Sequence, residues 1–366
     1  MELNTIVSHF QIDGRFLMGE PYGCGHINST YCLYFDRENR PPMRVILQKI
    51  NTSIFQDADG LMNNITLVTD HIRKKNADSP DVDRCTLTVI PTVDGKSYYR
   101  AENGDCYRAY VFVENSFSLQ QVENADQFES LAATFGEFQN QLADFDASQL
   151  VESIPNFHNT AKRFEAFEQA VEADLAGRAA TVADEIAFAK ARKEDASLLL
   201  NELKAGNLPL RVTHNDTKLN NVLFDADSSK AVCVIDLDTV MPGLVHYDFG
   251  DSIRFGASTA AEDEKDLSKV EMDLGLFEAY TRGFLASCGK ALTEKEIEYL
   301  PFSAKLMTYE CGIRFLTDYL NGDTYFKIHY PDQNLDRCRT QFKLVADMEE
   351  KMEAMKAIVK RLCQAQ

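Results

Sequence analysis

Between Arg211 and Ser252 the chain reads RVTHNDTKLNNVLFDADSSKAVCVIDLDTVMPGLVHYDFGDS. This run holds His214-x-Asp216, then Asn221, then an apolar strand that ends in Asp236. A carboxylate, an amide and a second carboxylate in that order suit transfer of a phosphoryl group from a metal-bound nucleotide to a hydroxyl. One carboxylate orients and deprotonates the acceptor, while the amide and the other carboxylate hold Mg2+ on the phosphates. Asp216 fits the first task as a general base, and Asn221 and Asp236 fit the second. Lys218 is placed to neutralise the phosphoryl group in transit. His214 reads as a brace for the loop.

Two further carboxylates compete for roles. Asp248-Phe249-Gly250 spells the magnesium-binding triplet of protein kinases, but it does not end a strand paired with the loop, whereas Asp236 does. Asp236 is therefore the expected metal ligand, and Asp248 is expected to anchor the loop or start the next helix. Asp238 is a candidate for an additional contact near the metal. The pairs His214/Asp216 and His246/Asp248 also admit a shared metal and a hydrolase. That reading gives Asn221 no task. A catalytically silent binding module is a third possibility, against which the complete set Asp216, Asn221 and Asp236 argues.

Near the N-terminus, Gly23-Cys24-Gly25-His26-Ile27-Asn28-Ser29-Thr30-Tyr31 resembles a turn that covers a nucleotide. Closely spaced glycines let the backbone approach phosphates, and neighbouring N–H groups and hydroxyls can bind them. Gly23, Gly25, Asn28 and Thr30 are the nucleotide candidates here, with His26 a candidate for substrate or phosphate. Further on, Gln48 and Lys49 sit on one strand, and alternation puts them on opposite faces, so only one can meet the phosphates. Near the C-terminus, Arg314 lies inside an apolar helical stretch. It either pairs with Glu310 or Asp318, four residues to either side, or binds substrate.

These residues need a scaffold. Asn28–Phe35, Met43–Ile50, Cys85–Pro91, Ser97–Ala101 and Tyr107–Val113 read as strands. Ala58–Lys75 has helical spacing through Leu61, Ile65, Leu67, Val68 and Ile72. Beyond Val113 the texture becomes helical: Gln127–Phe145, Asn159–Leu203 as two helices, Glu294–Asn321 and Asp336–Cys363. The motif interrupts it as a β-hairpin, Val222–Phe224 against Ala231–Ile235. The expected architecture is α+β, with a small antiparallel-sheet lobe over 1–114, a larger mainly helical lobe over 115–366, and a boundary in the polar stretch Glu114–Ser118.

Composition narrows the class. The 366 residues suffice for two substantial cores. A net charge of −19, from 38 basic and 57 acidic residues, argues against nucleic acid or an anionic membrane as partner. The nine cysteines are odd in number and none has C-x-x-C spacing, which argues for reduced thiols and a cytoplasmic setting rather than a disulfide framework or structural zinc. The N-terminus lacks a signal-peptide pattern, and no apolar run is long enough to span a bilayer.

With HNDTKLNN (His214–Asn221), VIDLD (Val234–Asp238) and the Gly23–Tyr31 turn in hand, the chain resembles the aminoglycoside-phosphotransferase-like kinases, a branch of the protein-kinase-like fold. GHINSTY (Gly25–Tyr31), ILQKIN (Ile46–Asn51) and RFLTDYLNGDTYF (Arg314–Phe326) make it similar, within them, to the N-acetylhexosamine 1-kinases. The resemblance implies a bilobal fold with ATP in the interlobe cleft, Asp216 as base, and Asn221 and Asp236 on Mg2+. It implies an amino sugar, GlcNAc or GalNAc, as the acceptor of a monomeric or homodimeric enzyme, with Arg314, Tyr325 and His26 on the sugar beside Asp216. Other small alcohols, such as aminoglycosides, choline or other amino alcohols, are the alternative acceptors. One departure stands out: where many relatives carry a basic residue on the phosphate-binding strand, this chain has Gln48 beside Lys49.

Overall fold

The computed structural model describes residues 3–23, 27–119 and 124–364. In chain order they form helix α1 (Leu3–Val7), strands β1 (Arg15–Pro21), β2 (Ser29–Asp36) and β3 (Met43–Ile50), and helix α2 (Ala58–Lys75). Strands β4 (Val89–Ile90), β5 (Tyr99–Arg100), β6 (Cys106–Val111) and β7 (Ser116–Ser118) follow. Next come helices α3 (Ala125–Gln141), α4 (Thr160–Ala173), α5 (Ala183–Lys190) and α6 (Asp195–Lys204), then strands β8 (Arg211–Thr213), β9 (Val222–Asp225) and β10 (Ala231–Val234). The chain closes with helices α7 (Val245–Gly256), α8 (Leu274–Cys288), α9 (Glu294–Leu320) and α10 (Gln333–Gln364). No helix among the described residues is long and apolar enough to cross a membrane.

Two compact units result. The first comprises 1–118, 144–155 and 222–242, and the second comprises 119–143, 156–221 and 243–366. The first unit thus runs past the expected boundary at 114/115 and gathers two later segments as well. Asn64, buried on α2, shows why. Its side-chain amide donates to the carbonyls of Val151 (2.7 Å) and Val240 (3.0 Å), and its oxygen accepts from Val151 N–H (3.0 Å). A satisfied buried amide of this kind fixes both segments to one helix.

The first unit is built on an antiparallel sheet in the order β1-β2-β3-β6-β4, with β5 also paired to β6. Alternation decides its faces. Leu33 and Phe35 of β2, Val45 and Leu47 of β3, and Tyr107 and Ala109 of β6 join Ile6, Val7 and Phe10 in one apolar cluster. Helix α2 occupies the expected Ala58–Lys75. Asp57 caps it by accepting from Gly60 N–H, and Arg73, Lys74 and Lys75 complement the dipole at its end.

Cys85–Pro91 and Ser97–Ala101 shrink from expected strands to the pairs Val89–Ile90 and Tyr99–Arg100. The register explains it: β4 pairs with Tyr110 and Ala109, β5 with Tyr107 and Cys106, so the two share one edge of a short strand. Strand β1 escapes the alternation rule because most of its residues are exposed. The expected boundary residues Ser116–Ser118 form β7, which pairs with β9 in a three-stranded sheet completed by β10.

The second unit is mainly helical. Asn159–Leu203 holds three α-helices rather than two; α4 stops at Asp174, whose left-handed φ of 39° ends the turn, and Gly177 (φ 66°) redirects the chain. Nothing comparable in residue type marks the break between α5 and α6. Long helices α9 and α10 pack against each other, and α3 packs along α8. The arrangement of an antiparallel-sheet N-terminal region and a helical C-terminal region is the expected fold class.

Candidate active site

In the second unit, β8 leads into the loop that carries Asp216. The residue before it, Asn215, has φ 66°, a left-handed conformation that asparagine tolerates better than most residues. Asp248, in the first turn of α7 and fully buried, holds this bend. One of its oxygens accepts from Asn215 N–H (2.7 Å); the other accepts from His214 N–H (2.9 Å) and the Gln139 amide (2.8 Å). Thr217 Oγ1 donates to the Asp248 carbonyl (2.8 Å). Asp248 is therefore the loop anchor. His214 is buried between the edges of Phe135 and Phe138, and its Nδ1 accepts from Asp216 N–H (3.3 Å). Replacing Asp248 with Ala takes the carboxylate acceptor from two buried backbone N–H groups and one of two acceptors from the Gln139 amide. We expect a loss of about 3 kcal/mol or more in unfolding free energy, checked by denaturant titration.

The Asp216 carboxylate is engaged at both oxygens. Asn221 Nδ2 donates to Oδ2 (3.0 Å) and to the Asp216 carbonyl (2.8 Å), while Lys218 Nζ lies 2.7 Å from Oδ1. Desolvation opposes the charge on Lys218, but the Asp216 and Asp251 carboxylates more than offset it, so its pKa lies above the ordinary lysine value. With its nitrogen spent on Asp216, Asn221 offers its Oδ1 oxygen, the hard donor that Mg2+ favours. Asp216, Lys218 and Asn221 thus come together on one short loop.

Glu310 and Arg314 both lie on α9, and their environments differ. Buried His158 Nδ1 lies 2.8 Å from Glu310 Oε1, and its Nε2 lies 3.0 Å from the Asn215 carbonyl. The Asn215 carbonyl can only accept, and so can Glu310 when ionised, so with the carboxylate charged both ring nitrogens carry protons and His158 is an imidazolium. Burial disfavours that charge; Glu310 outweighs it and raises the His158 pKa. Burial likewise disfavours the Glu310 carboxylate, but His158 and the Thr160 hydroxyl (2.6 Å) hold its pKa below the usual value. The pair ties α9 to the residue preceding Asp216.

Both shifts make stability depend on pH. His158 contributes stability in full below its unfolded value of 6.5, and that stability is lost as pH rises through its raised folded value. Glu310 contributes above 4.5 and loses its contribution as pH falls through its lowered folded value. Glu310→Gln strands a buried imidazolium. It is expected to cost about 3–5 kcal/mol near pH 6 and to flatten the decline of stability above neutrality, measurable by denaturation across a pH series.

Because Glu310 is spent on His158 and Thr160, it is not the partner of Arg314. Asp318 is spent as well: its oxygens accept from the backbone N–H groups of Thr324, Tyr325 and Phe326 and from the Asn334 amide. Among the described residues Arg314 makes no ion pair; its guanidinium lies over the Phe326 ring at 5.4 Å. The caps from Asp318 shape the turn that presents exposed Tyr325.

The first unit carries the remaining candidates. Asp236 follows β10 in a left-handed conformation (φ 57°) that begins the turn to Asp238. Buried Asp238 receives the Asn28 amide (2.6 Å) and lies 2.5 Å from Arg108 Nη1, and its carbonyl accepts from Ser153 Oγ (2.9 Å). The Arg108–Asp238 contact is an ion pair without the alignment of a hydrogen bond. Arg108 is 1% exposed. Burial works against its charge, and Asp238, with Asp236 adding to it, raises its pKa nonetheless. Gln48 accepts from Arg108 Nε (2.9 Å) and donates to Thr30 Oγ1 (3.0 Å). Lys49 points the other way and pairs with Asp105 (2.8 Å). Gly23 has φ 78°, and a side chain there would meet nothing among the described residues. Gly25 and His26 lie outside the described residues.

Arg108, His158 and Glu310 are absent from the sequence-based site. Arg108 had a visible signal, a lone cation among Cys106, Tyr107, Ala109, Tyr110 and Val111. His158 and Glu310 had none, because their pairing joins positions far apart in the chain. The hydrolase reading fares poorly by geometry. Both Asp248 oxygens are filled by N–H donors. His246 donates Nε2–H to the Glu296 carbonyl (2.9 Å), and burial lowers its pKa to about 4.

An antiparallel-sheet unit with a helical unit that carries an Asp–x–Lys–x–x–Asn loop is the architecture of a protein-kinase-like phosphotransferase. Solved structures agree on the fold. An aminoglycoside phosphotransferase from Alicyclobacillus acidocaldarius superposes with a TM-score of 0.62 at 14% identity, over 100% of this chain and 97% of that one. A microcompartment-associated aminopropanol kinase gives 0.59 at 14% identity, over 96% and 97%. An amicoumacin kinase in complex with AMP-PNP, Ca2+ and Ami gives 0.58 at 13%, over 95% and 91%. Residues 86–282, more than half the chain, match the APH phosphotransferase enzyme family, and the protein belongs to that family. It is a small-molecule phosphotransferase.

Proposed function

We propose that this protein transfers the γ-phosphoryl group of Mg2+-bound ATP to the anomeric hydroxyl of GlcNAc or GalNAc, giving the sugar 1-phosphate. The observation that carries the kinase reading is the Asp216 carboxylate, fixed between the Asn221 amide and the Lys218 ammonium on a loop anchored by Asp248. Asp216 orients the acceptor hydroxyl and takes its proton as the oxygen attacks phosphorus. An anomeric hydroxyl is more acidic than an ordinary alcohol and gives up its proton more readily. Lys218 offsets charge on the phosphoryl oxygens. Asn221 Oδ1 and the Asp236 carboxylate are the proposed metal ligands; they are hard oxygen donors of the type Mg2+ prefers, and the bound ion would neutralise phosphate charge.

The acceptor assignment rests on the sequence resemblance of Gly25–Tyr31, Ile46–Asn51 and Arg314–Phe326, supported by an Arg314 that has no ion pair among the described residues. Arg314, Tyr325 and His26 are the proposed sugar contacts, and Asn28, Thr30, Gln48 and the Gly23–Gly25 turn the nucleotide side. The eight described cysteines are free thiols, which fits the proposed cytoplasmic setting.

The test is ADP release with ATP and Mg2+ across GlcNAc, GalNAc, aminoglycosides, choline and other amino alcohols. Selective turnover of the two N-acetylhexosamines is expected. Turnover only on another alcohol would retain the roles of Asp216, Asn221 and Asp236 and discard the amino-sugar acceptor. No turnover on any of them would sink the kinase reading. Within this account, Arg314→Ala is expected to raise the sugar KM at least about tenfold while leaving the KM for ATP unchanged, read from steady-state kinetics with each substrate varied.

A further inference from the structure

Thr30, Gln48 and Arg108 stand directly opposite one another on three adjacent strands, β2, β3 and β6. They lie on the sheet face away from the apolar cluster, and hydrogen bonds join them into one row. An amide at position 48 can orient a neighbour but brings no charge to the row. The charge comes from one strand further on. Arg108 is buried to 1% exposure, a costly placement for a guanidinium unless its partners are fixed. Its Nε is spent on Gln48 and its Nη1 on Asp238.

Asp238 ends the short turn that starts at Asp236, and that turn is tied down at several points. Asn28 holds the second Asp238 oxygen, and the Asn28 side-chain oxygen in turn accepts from Asn51 N–H (2.9 Å). Ser153 holds the Asp238 carbonyl, and Asn64 holds that of Val240. Asp236 itself sits in a left-handed conformation that few side chains adopt unaided. Among the described residues, Arg108 is the one that brings a positive charge to this set of tethers.

We propose that Arg108 is a positioning residue of the nucleotide site: from β6 it supplies the cation that position 48 lacks, and it fixes the Asp236–Asp238 turn so that Asp236 is presented to the divalent ion of a nucleoside triphosphate. The inference rests on the kinase reading above and deepens it. It gives Gln48 a defined task, which is to orient the Arg108 fork, and it assigns Asp238 to holding the turn rather than to the metal.

The test separates positioning from mere structural support. Arg108→Gln alone leaves Asp238 buried without its ion pair and is expected to lose much of its stability. The double variant Arg108→Gln/Asp238→Asn removes both charges, so neither is left buried without its partner, and is expected to recover folding, read by denaturation without nucleotide or metal. Calorimetric titration of the full chain with ATP at stepped Mg2+ concentrations is the second readout. The double variant should need at least about tenfold more Mg2+ than the wild type to bind ATP at half-saturation. Wild-type Mg2+ dependence in a folded double variant would overturn the proposal and leave the kinase reading intact.

Arg108→Lys keeps the charge but cannot give both the Gln48 and Asp238 contacts. It is expected to fold and to show the same direction of Mg2+ dependence, and an unchanged Mg2+ dependence there would count equally against the proposal. A wild-type chain that binds no ATP at any Mg2+ concentration would bring down the kinase reading first, and this proposal with it.

Discussion

Asp216→Asn is expected to lower turnover by about 10²–10⁴-fold and to leave ATP binding unchanged. The substitution is nearly isosteric, so the loop retained by Asp248 keeps its shape. The introduced amide has a single accepting oxygen, so it keeps a hydrogen bond from either Asn221 or Lys218 and loses the other contact. What disappears is the group proposed to receive the acceptor proton. The loss should therefore fall on kcat and on kcat/KM together, with little change in the affinity for nucleotide. Single-turnover kinetics and a direct ATP-binding titration check the two halves of this expectation. Near-normal turnover would remove Asp216 from the role of base. Lost ATP binding would instead make it part of the nucleotide site.

Asp236→Asn is the second large effect. Asparagine tolerates the left-handed conformation that Asp236 adopts (φ 57°), so the turn should persist. The charge that would hold a divalent ion does not. Loss of several kcal/mol of charge stabilisation in the transition state corresponds to a fall of about 10³-fold or more in kcat/KM. Unlike Asp216→Asn, this variant should also bind ATP more weakly when Mg2+ is present, and no differently when it is absent. The contrast with Asp248 is informative. Asp248→Ala should act first on stability, because its oxygens serve backbone N–H groups. A variant of Asp236 that unfolds while one of Asp248 keeps its stability but loses Mg2+-dependent binding would reverse the two assignments.

Much of this arrangement is legible in the chain because it is local. His214 through Asn221 sit within one loop, so spacing alone places Asn221 beside Asp216. The helix Ala58–Lys75 is bounded by residues that act within a turn of its ends, an Asp57 cap and three terminal cations. Period-2 alternation likewise separates Gln48 from Lys49, although it does not say which faces which side; that follows only once Thr30 and Arg108 are paired across the sheet.

The less legible features depend on distant parts of the chain. The imidazolium of His158 exists only because residues 215 and 310 meet it, and neither is near it in sequence. The division into units follows Asn64, whose hydrogen bonds reach residues 151 and 240. Strands β4 and β5 are short for a similar reason, since both compete for β6. In each case local propensity is satisfied, and a long-range pairing sets the outcome.

Phosphorus NMR of the wild-type enzyme with ATP, Mg2+ and GlcNAc tests the central claim most directly. Stoichiometric ADP and one new phosphomonoester resonance coupled to the anomeric proton of the sugar are expected. Release of inorganic phosphate alone, or a phosphate on any other hydroxyl, would contradict it.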